Sequence, residues 1–519
     1  MGAALAFWAV SLVIGVLALP LAFALLRRLP DAGAGVAIPL GLLFASYAYF
    51  ILRVAHVLPF GRGGYLLAVA LLALLSAAIA GRERRFLSTL HRSWPGWVAA
   101  AGIFSCFYFL FVAFRSYTPD INGTEQPMDF MYLNATLTST DYPPKDPWLS
   151  GEKASYYYFG YLQVGLLTSA AGVQPSTGYN LGLAYTFAAA ATAIASLGYA
   201  FACWAMGSRG RKWALGAAVA GVLLLLFVGS LSAIFEWAAA HGHYNDALYG
   251  KFGVEWLIPC KPGVTDNCFT GDLVNRGAHW YPSEFFFWWR GSRIIPNTIT
   301  EFPFFSFLLG DLHPHVMSIP LVLLSLALSA SVYRSRRLLS WRTHIRQPAF
   351  GVALAVIFGA LAFQNAWDIL TFTGILMLAV LARNMRRERF FRSAVDTGTY
   401  LLPIVVLAVI AYVPWYIHFS SQAGGLEPYI GEGTRPAHAF LQFGVIGITA
   451  LLVLTWAFRR GERDLTFNSA MLALWVPMVP FGIWLLLSAV HGDLTTGFDA
   501  RRPGGWVTLI IYGASTWLL

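Results

Sequence analysis

Two carboxylates four residues apart, Glu125 and Asp129, stand in the run Thr124-Glu125-Gln126-Pro127-Met128-Asp129-Phe130. On a helix that spacing puts both side chains on one face. One can then act as a general base or bind a divalent cation while the other orients it; the alternative is a pair of solvated loop acids. The run belongs to a polar interval from Tyr117 to Tyr161, which also holds Pro143-Pro144-Lys145-Asp146-Pro147-Trp148 and the tyrosines Tyr156, Tyr157 and Tyr158. An interval so rich in acids, prolines and aromatics reads as a site rather than a linker.

A second group lies in Glu301 to His315, where Asp311, His313 and His315 enter an otherwise apolar segment. Ionisable residues there are costly and are functional candidates by default. Pro314 breaks the helix locally, so the carboxylate and imidazoles can converge into a donor set that suits Zn, Mn or Fe. A hydrogen-bonding cluster at a helix end is the alternative. In Trp288-Trp289-Arg290-Gly291-Ser292-Arg293, the guanidiniums of Arg290 and Arg293 beside Trp289 suit a phosphate or pyrophosphate headgroup, which they can grip bidentately. The competing reading is an aromatic belt with snorkelling arginines. Asn365 and Asp368 mark a hairpin between two short spans, as site residues or as turn chemistry. Cys260 and Cys268 share one polar loop and form a candidate disulfide if that loop faces an oxidising compartment. Cys106 and Cys203 lie in apolar segments and read as packing residues.

These residues must be positioned by membrane helices. The chain has 519 residues, 57% of them hydrophobic and 12% charged, where a soluble domain carries about 25% charged residues. Apolar runs long enough to cross a bilayer recur along the whole length, about 13–14 in all at about 20 residues per crossing. Lipid cannot satisfy backbone polar groups, so the expected fold is all-α, a polytopic transmembrane helical bundle. The expected organisation is N-terminal transmembrane helices in 1–114, a core in 115–382 with long outer loops at 115–155 and 236–300, and C-terminal helices in 383–519. Ser515-Thr516-Trp517-Leu518-Leu519 stop inside an apolar run, which is the expectation for a truncated member of a longer family.

The net charge of +10 comes from basic clusters at span ends: Arg27-Arg28, Arg82 to Arg92, Arg209 to Lys212, Arg334 to Arg346, Arg383 to Arg392 and Arg459 to Arg463. They read as topology signals rather than a nucleic-acid surface. All fall on the cytoplasmic side of a plasma membrane, with the N-terminus outside, provided that segment 156–172 does not cross but is short, tilted or re-entrant. Most acids then lie outside, in 115–155, 236–311 and 421–434. The basic loops are too short for a soluble nucleotide-using domain, and neither a Walker A sequence nor a Rossmann glycine fingerprint is present. No nucleotide cofactor is expected, and activated groups would come from a lipid-linked donor.

The acidic run, the Pro-Pro-Lys-Asp-Pro-Trp stretch, the triple tyrosine followed by Phe159-Gly160, Glu301 to His315 and Asn365 to Asp368 together resemble the YYY-type multipass membrane proteins of archaea and Chloroflexi-like bacteria, a family carried as a domain of unknown function. More distantly, a span, a long acidic outer loop, a Pro-rich stretch and then Tyr-Tyr-Tyr-Phe opening a short helix resemble the GT-C superfamily of glycosyltransferases. That superfamily includes protein mannosyltransferases, aminoarabinose transferases and oligosaccharyltransferase subunits. Three candidate spans precede the acidic loop's own span here, where the superfamily usually has one.

The GT-C resemblance implies an inverting glycosyltransferase at the outer membrane face, with a polyprenyl-phosphate sugar donor and a glycan, lipid or protein acceptor. It implies Asp129 or Glu125 as the catalytic carboxylate, which deprotonates or orients the acceptor hydroxyl. Asp311, His313 and His315 would complete a metal or phosphate site, with Mg or Mn as the cation. Arg290 and Arg293 would neutralise the departing lipid phosphate. Tyr156, Tyr157, Tyr158, Trp289, Asn365 and Asp368 would line the substrate site, helped by Phe286, Phe287 and Trp288. The rival reading is a lipid or solute transporter or flippase with a polar mid-membrane site, which inverted repeats would favour. The sharpest expectation is geometric: Glu125 and Asp129 face Asp311 and His313 across a cavity walled by the tyrosines.

Overall fold

The structure is a computed structural model, and it describes residues 1–83, 86–207, 211–241, 243, 245–254, 263, 289–295, 298–420, 427–459, 467–500 and 505–511. Helix is the only regular structure among them, apart from a single bridge between Lys145 and Lys153.

The chain opens with α1 (Gly2–Leu17) and α2 (Leu19–Leu26), one apolar stretch bent by 49°. Pro20 lies just after the bend and lacks the N–H that would bond back one turn. Next come α3 (Ala37–Val54), α4 (Arg62–Arg82) and α5 (Phe86–Arg115). Two short helices follow, α6 (Gln126–Thr138) and α7 (Phe159–Ala171), of 13 residues each. Thirteen residues rise about 20 Å, short of the roughly 30 Å hydrocarbon core, so neither crosses upright. That agrees with segment 156–172 being less than a span. Then come α8 (Pro175–Met206), α9 (Arg211–Leu226), α10 (Ala233–Ala240) and α11 (Asp246–Phe252).

The apolar segment that Asp311, His313 and His315 enter is divided into α12 (Pro303–Leu309), α13 (Pro314–Met317) and α14 (Ile319–Tyr333). Pro314 and Pro320 each sit at the start of a piece, where a missing N–H costs nothing. The remaining helices are α15 (Trp341–Arg346), α16 (Pro348–Gln364), α17 (Asp368–Met385), α18 (Phe390–Ala411), α19 (Val413–Tyr416), α20 (Pro436–Arg459), α21 (Phe467–Val490) and α22 (Leu494–Ala500).

Among the described residues, eight helices are long and apolar enough to cross a membrane, or nine if the bent α1–α2 pair is one span. Shorter apolar helices, α16 among them, account for other apolar runs that composition alone reads as spans. The protein is an all-α, polytopic helical membrane protein.

The chain forms two compact units, each discontinuous in sequence: Met1–Phe227 with Phe307–Ser421, and Val228–Ser306 with Gln422–Leu519. In the first, α8 is the central staff. Its span is 83% buried, against 17% for α5, whose bare apolar face suits lipid. α5, α9 and α14 pack on α8. Small residues allow the close approach: a Cβ on Gly198 of α8 would lie 2.6 Å from the Ala217 carbonyl of α9. The second unit has its own small core of Ala239, Tyr249, Val254, Ile294 and Leu441.

Candidate functional site

The site is built in the first unit where α5 ends and the chain returns as α6. The backbone N–H groups of Asn122 and Gly123 donate to Gln126 Oε1 at 3.1 and 3.3 Å, and Gln126 Nε2 donates to the Leu309 carbonyl at 2.9 Å. This closes a tight turn in which Thr124 takes φ +43°. A β-branched residue in the left-handed region is a genuine outlier, strained by about 1–3 kcal/mol. Its hydroxyl lies between both oxygens of Asp311, at 2.7 and 2.8 Å. Glu125 follows as the residue before α6. Asp129 sits in the first turn of that helix, its N–H bonded to the Glu125 carbonyl at 3.0 Å.

The partner segment, Gly310 to His313, is the non-helical break between α12 and α13. Pro314 forces the residue before it out of helical geometry, and His313 is extended at φ −76°, ψ 152°. Gly310 has φ +77°, and a Cβ there would lie 2.7 Å from Arg115 Nη1. Tyr179 of α8 pins the break, its hydroxyl accepting from the Leu312 N–H at 2.9 Å and donating to the Gly310 carbonyl at 3.3 Å.

These two segments bring Glu125 against His313 and Thr124 against Asp311 in direct contact, where the sequence reading set the acids and histidine across a cavity. Glu125 Oε2 lies 2.8 Å from His313 Nε2, and the Tyr156 hydroxyl lies 3.0 Å from the same nitrogen. His313 Nδ1 stands 2.7 Å from His315 Nδ1. A hydrogen bond between two ring nitrogens needs one with a proton and one without, so each ring sets the other's tautomer. Asp368 interacts with His315 and Ser318 and accepts from Asn365 Nδ2 at 3.0 Å. A polar chain therefore runs Glu125–His313–His315–Asp368, from the start of α6 to the start of α17. Glu125 is its open end, with a side chain 58% exposed against 20% for His313.

Asp129 does not share this access. It is wholly buried, its Oδ1 accepts from the Tyr161 hydroxyl at 2.5 Å, and its Oδ2 has no hydrogen-bond partner among the described residues. Burial pushes its carboxyl well above the usual range; the Tyr161 hydrogen bond opposes this, and the charges of Asp311 and Glu125 add to it. The carboxyl is therefore held toward its neutral form. Glu125 and Asp129, read from their spacing as one-face neighbours, differ in access: Glu125 at the start of the helix has helical backbone angles, φ −95° and ψ 0°, with its side chain open, while Asp129 one turn on is sealed.

The three tyrosines also divide. Tyr156 stacks on Tyr132 with ring centroids 4.8 Å apart and reaches the polar chain. Tyr157 packs against Phe419. Tyr158 is fully buried, edge-on to Phe363 and near Phe50, and is a core residue rather than a substrate-lining one.

Arg290, Arg293 and Trp289 belong to the second unit. Arg290 is buried, with Nε and Nη2 bonded to the two Glu236 oxygens at 2.7 and 2.8 Å. Its bidentate edge already holds a carboxylate. Arg293 lies over the Trp289 ring at 4.0 Å. Cys260, Cys268, Phe286, Phe287 and Trp288 lie outside the described residues. Among the described residues no three His, Cys, Asp or Glu side chains are grouped so as to hold a metal ion; Glu125 and His313 are directed at each other.

Sequence reasoning missed Arg115, Tyr161 and Tyr179. Buried Arg115 donates from Nε to Asn180 Oδ1 at 2.7 Å and from Nη2 to the Asp120 carbonyl at 3.0 Å. With Asn180, Ser176 and Thr177 it lines a cavity of ≈ 280 Å³. Its signal was available: an ionisable residue closing an apolar run just before the acidic loop. Nothing in the sequence distinguishes Tyr161 or Tyr179 from other aromatics.

The family model for an uncharacterized membrane protein (DUF2298) matches residues 44–518. Searches of the curated proteins and of the solved structures find no match.

Proposed function

The chain belongs to the DUF2298 family of uncharacterized membrane proteins, and from that footing we propose that it is an inverting glycosyltransferase drawing on a polyprenyl-phosphate-linked sugar at the outer face of the plasma membrane. The observation that carries this reading is the open Glu125 carboxylate held at 2.8 Å by His313, beside aromatic rings and at the ends of membrane helices.

Glu125 takes the proton of the acceptor hydroxyl as general base. The acceptor oxygen forms its bond to the anomeric carbon from the face opposite the phosphate. The carbon–oxygen bond to the lipid phosphate breaks, and the phosphate leaves with the electron pair. Arg115, at the wall of its cavity, supplies positive charge toward that leaving group. His313, set in turn by His315, orients Glu125. Neutral Asp129 braces Tyr161 behind the reacting groups, and the half-buried Tyr156, backed by Tyr132, borders the sugar site. The acceptor is a glycan, lipid or protein hydroxyl. A resident Mg or Mn ion does not fit the donor set as arranged, because Glu125 and His313 face each other, and no step is routed through one.

The test is transfer by the purified full chain in proteoliposomes, with radiolabelled mannosyl- and glucosyl-phosphopolyprenol as donors. Glu125→Gln should lower transfer by about 10²–10⁴-fold, the range for loss of a general base. Undiminished transfer in that variant sinks the assignment. Donor movement across the bilayer without transfer would favour transport.

A further inference from the structure

The helices that carry the candidate site have a second polar end. α14 follows the short α13 beside His313 and ends at Tyr333, while α16 starts at Pro348 and ends at Gln364, next to Asn365. Pro314–Tyr333 is 20 residues, a rise of about 30 Å. At the far ends of these helices lies a cavity of ≈ 590 Å³ lined by Arg27, Arg28, Arg334, Arg336, Arg337 and Arg346. No Asp or Glu lines it, and none of the six arginines has a carboxylate partner among the described residues.

Topology signals need only be basic; they need not surround a hollow. This hollow is built. The loop that carries Arg334, Arg336 and Arg337 is clamped from α17: Arg383 donates to the Ser335 carbonyl, and Asn384 bonds both the N–H and the carbonyl of Leu339, at 3.0 and 2.9 Å. Arg28 is half-buried and donates to the Ser331 carbonyl at 3.3 Å. Its ionisation is pushed below the ordinary value by burial, then by the charge of Arg27. Arg334 lies over Trp204. Like charges held this close repel one another unless an anion sits among them. The volume falls within the range of about 300–1,000 Å³ typical of small-ligand sites.

The same cavity has apolar walls, from Leu25, Val332, Leu339 and Phe350, and it opens at the ends of spans, where lipid headgroups lie. A basic pocket between membrane helices with an apolar flank matches an amphiphile whose head is phosphate. We propose that this cavity binds the phosphate-bearing headgroup of an anionic lipid at the membrane face opposite the candidate site. The proposal stands whatever the reaction at Glu125.

Native mass spectrometry of the purified full chain, titrated with phosphatidylglycerol, cardiolipin or phosphatidylcholine, tests it. The expected result is at least about ten-fold tighter binding of the anionic lipids, in keeping with the surface attraction of several arginines. Arg28→Gln combined with Arg336→Gln and Arg337→Gln should bring them down to the phosphatidylcholine level. Equal binding of all three lipids by the wild type, or an unchanged preference in the triple variant, overturns the proposal. If the variant does not fold, the wild type decides alone: its anionic-lipid binding should weaken steeply from roughly 50 to 500 mM salt as charges are screened, and salt-independent binding overturns the proposal. Inorganic pyrophosphate is the competitor. Failure to displace the lipid at millimolar concentration supports a headgroup site, and displacement at micromolar concentration overturns it in favour of a soluble phosphate.

Discussion

The Glu125 carboxylate closes on His313 Nε2 at 2.8 Å, and the other nitrogen of His313 closes on His315 Nδ1 at 2.7 Å. Two chain segments far apart in sequence thus share one hydrogen-bonded line. His313 is the joint of that line, so it should matter through Glu125. His313→Ala should lower transfer by about 10–100-fold with little change in donor KM, because it releases the base without removing it. His315→Ala should cost less. Steady-state kinetics of the two variants check the order; a larger loss at His315 would contradict it.

Asp129 carries a pH prediction. Its folded pKa is raised by burial, so its neutral form is the one that fits the fold. Its contribution to stability is then fully present below the unfolded carboxyl pKa, near 4, and is lost as pH rises through the folded value. Asp129→Asn keeps the shape without the ionisation. The wild type should lose thermal stability on going to alkaline pH more than Asp129→Asn does. Parallel melting curves from pH 4 to 9 that superimpose in slope would refute the assignment.

Thr124 is held in a strained backbone by its two contacts to Asp311. Thr124→Val keeps the strain and the shape but removes the hydroxyl. It should destabilise the protein by about 1.5–3 kcal/mol, the worth of hydrogen bonds to a charged group. Thr124→Ser should stay close to wild type. Detergent melting temperatures distinguish the two.

At Gly310 the prediction is steric. A methyl group would meet Arg115 Nη1 at 2.7 Å, on a backbone at φ +77°. Gly310→Ala should destabilise by about 1–3 kcal/mol and shift Arg115, lowering activity more than stability alone explains. Activity measured well below the melting temperature separates the two effects.

The tyrosines should behave unequally. Tyr156→Phe removes the hydroxyl that lies 3.0 Å from His313 and should reduce activity. Tyr158→Phe removes a buried hydroxyl that has no partner among the described residues, so its stability should be unchanged or raised by about 1 kcal/mol. A comparison of melting temperature and transfer rate in the two variants checks both.

The sequence by itself determined the solvent. A chain 57% hydrophobic and 12% charged, with apolar runs recurring along it, can satisfy its backbone in lipid only as helices. It also marked Glu125, Asp311, His313 and Asp368, because ionisable groups beside apolar segments are rare enough to stand out. Tertiary structure alone decided how those groups divide. Glu125 and Asp129 look equivalent as an i, i+4 pair, yet one lies open and the other is sealed under Tyr161, since burial depends on what packs against α6. Arg290 looked like a free cation until Glu236, 54 positions earlier, took its bidentate edge. Charge balance and access are properties of neighbours brought together from distant positions. Spacing along the chain does not encode them.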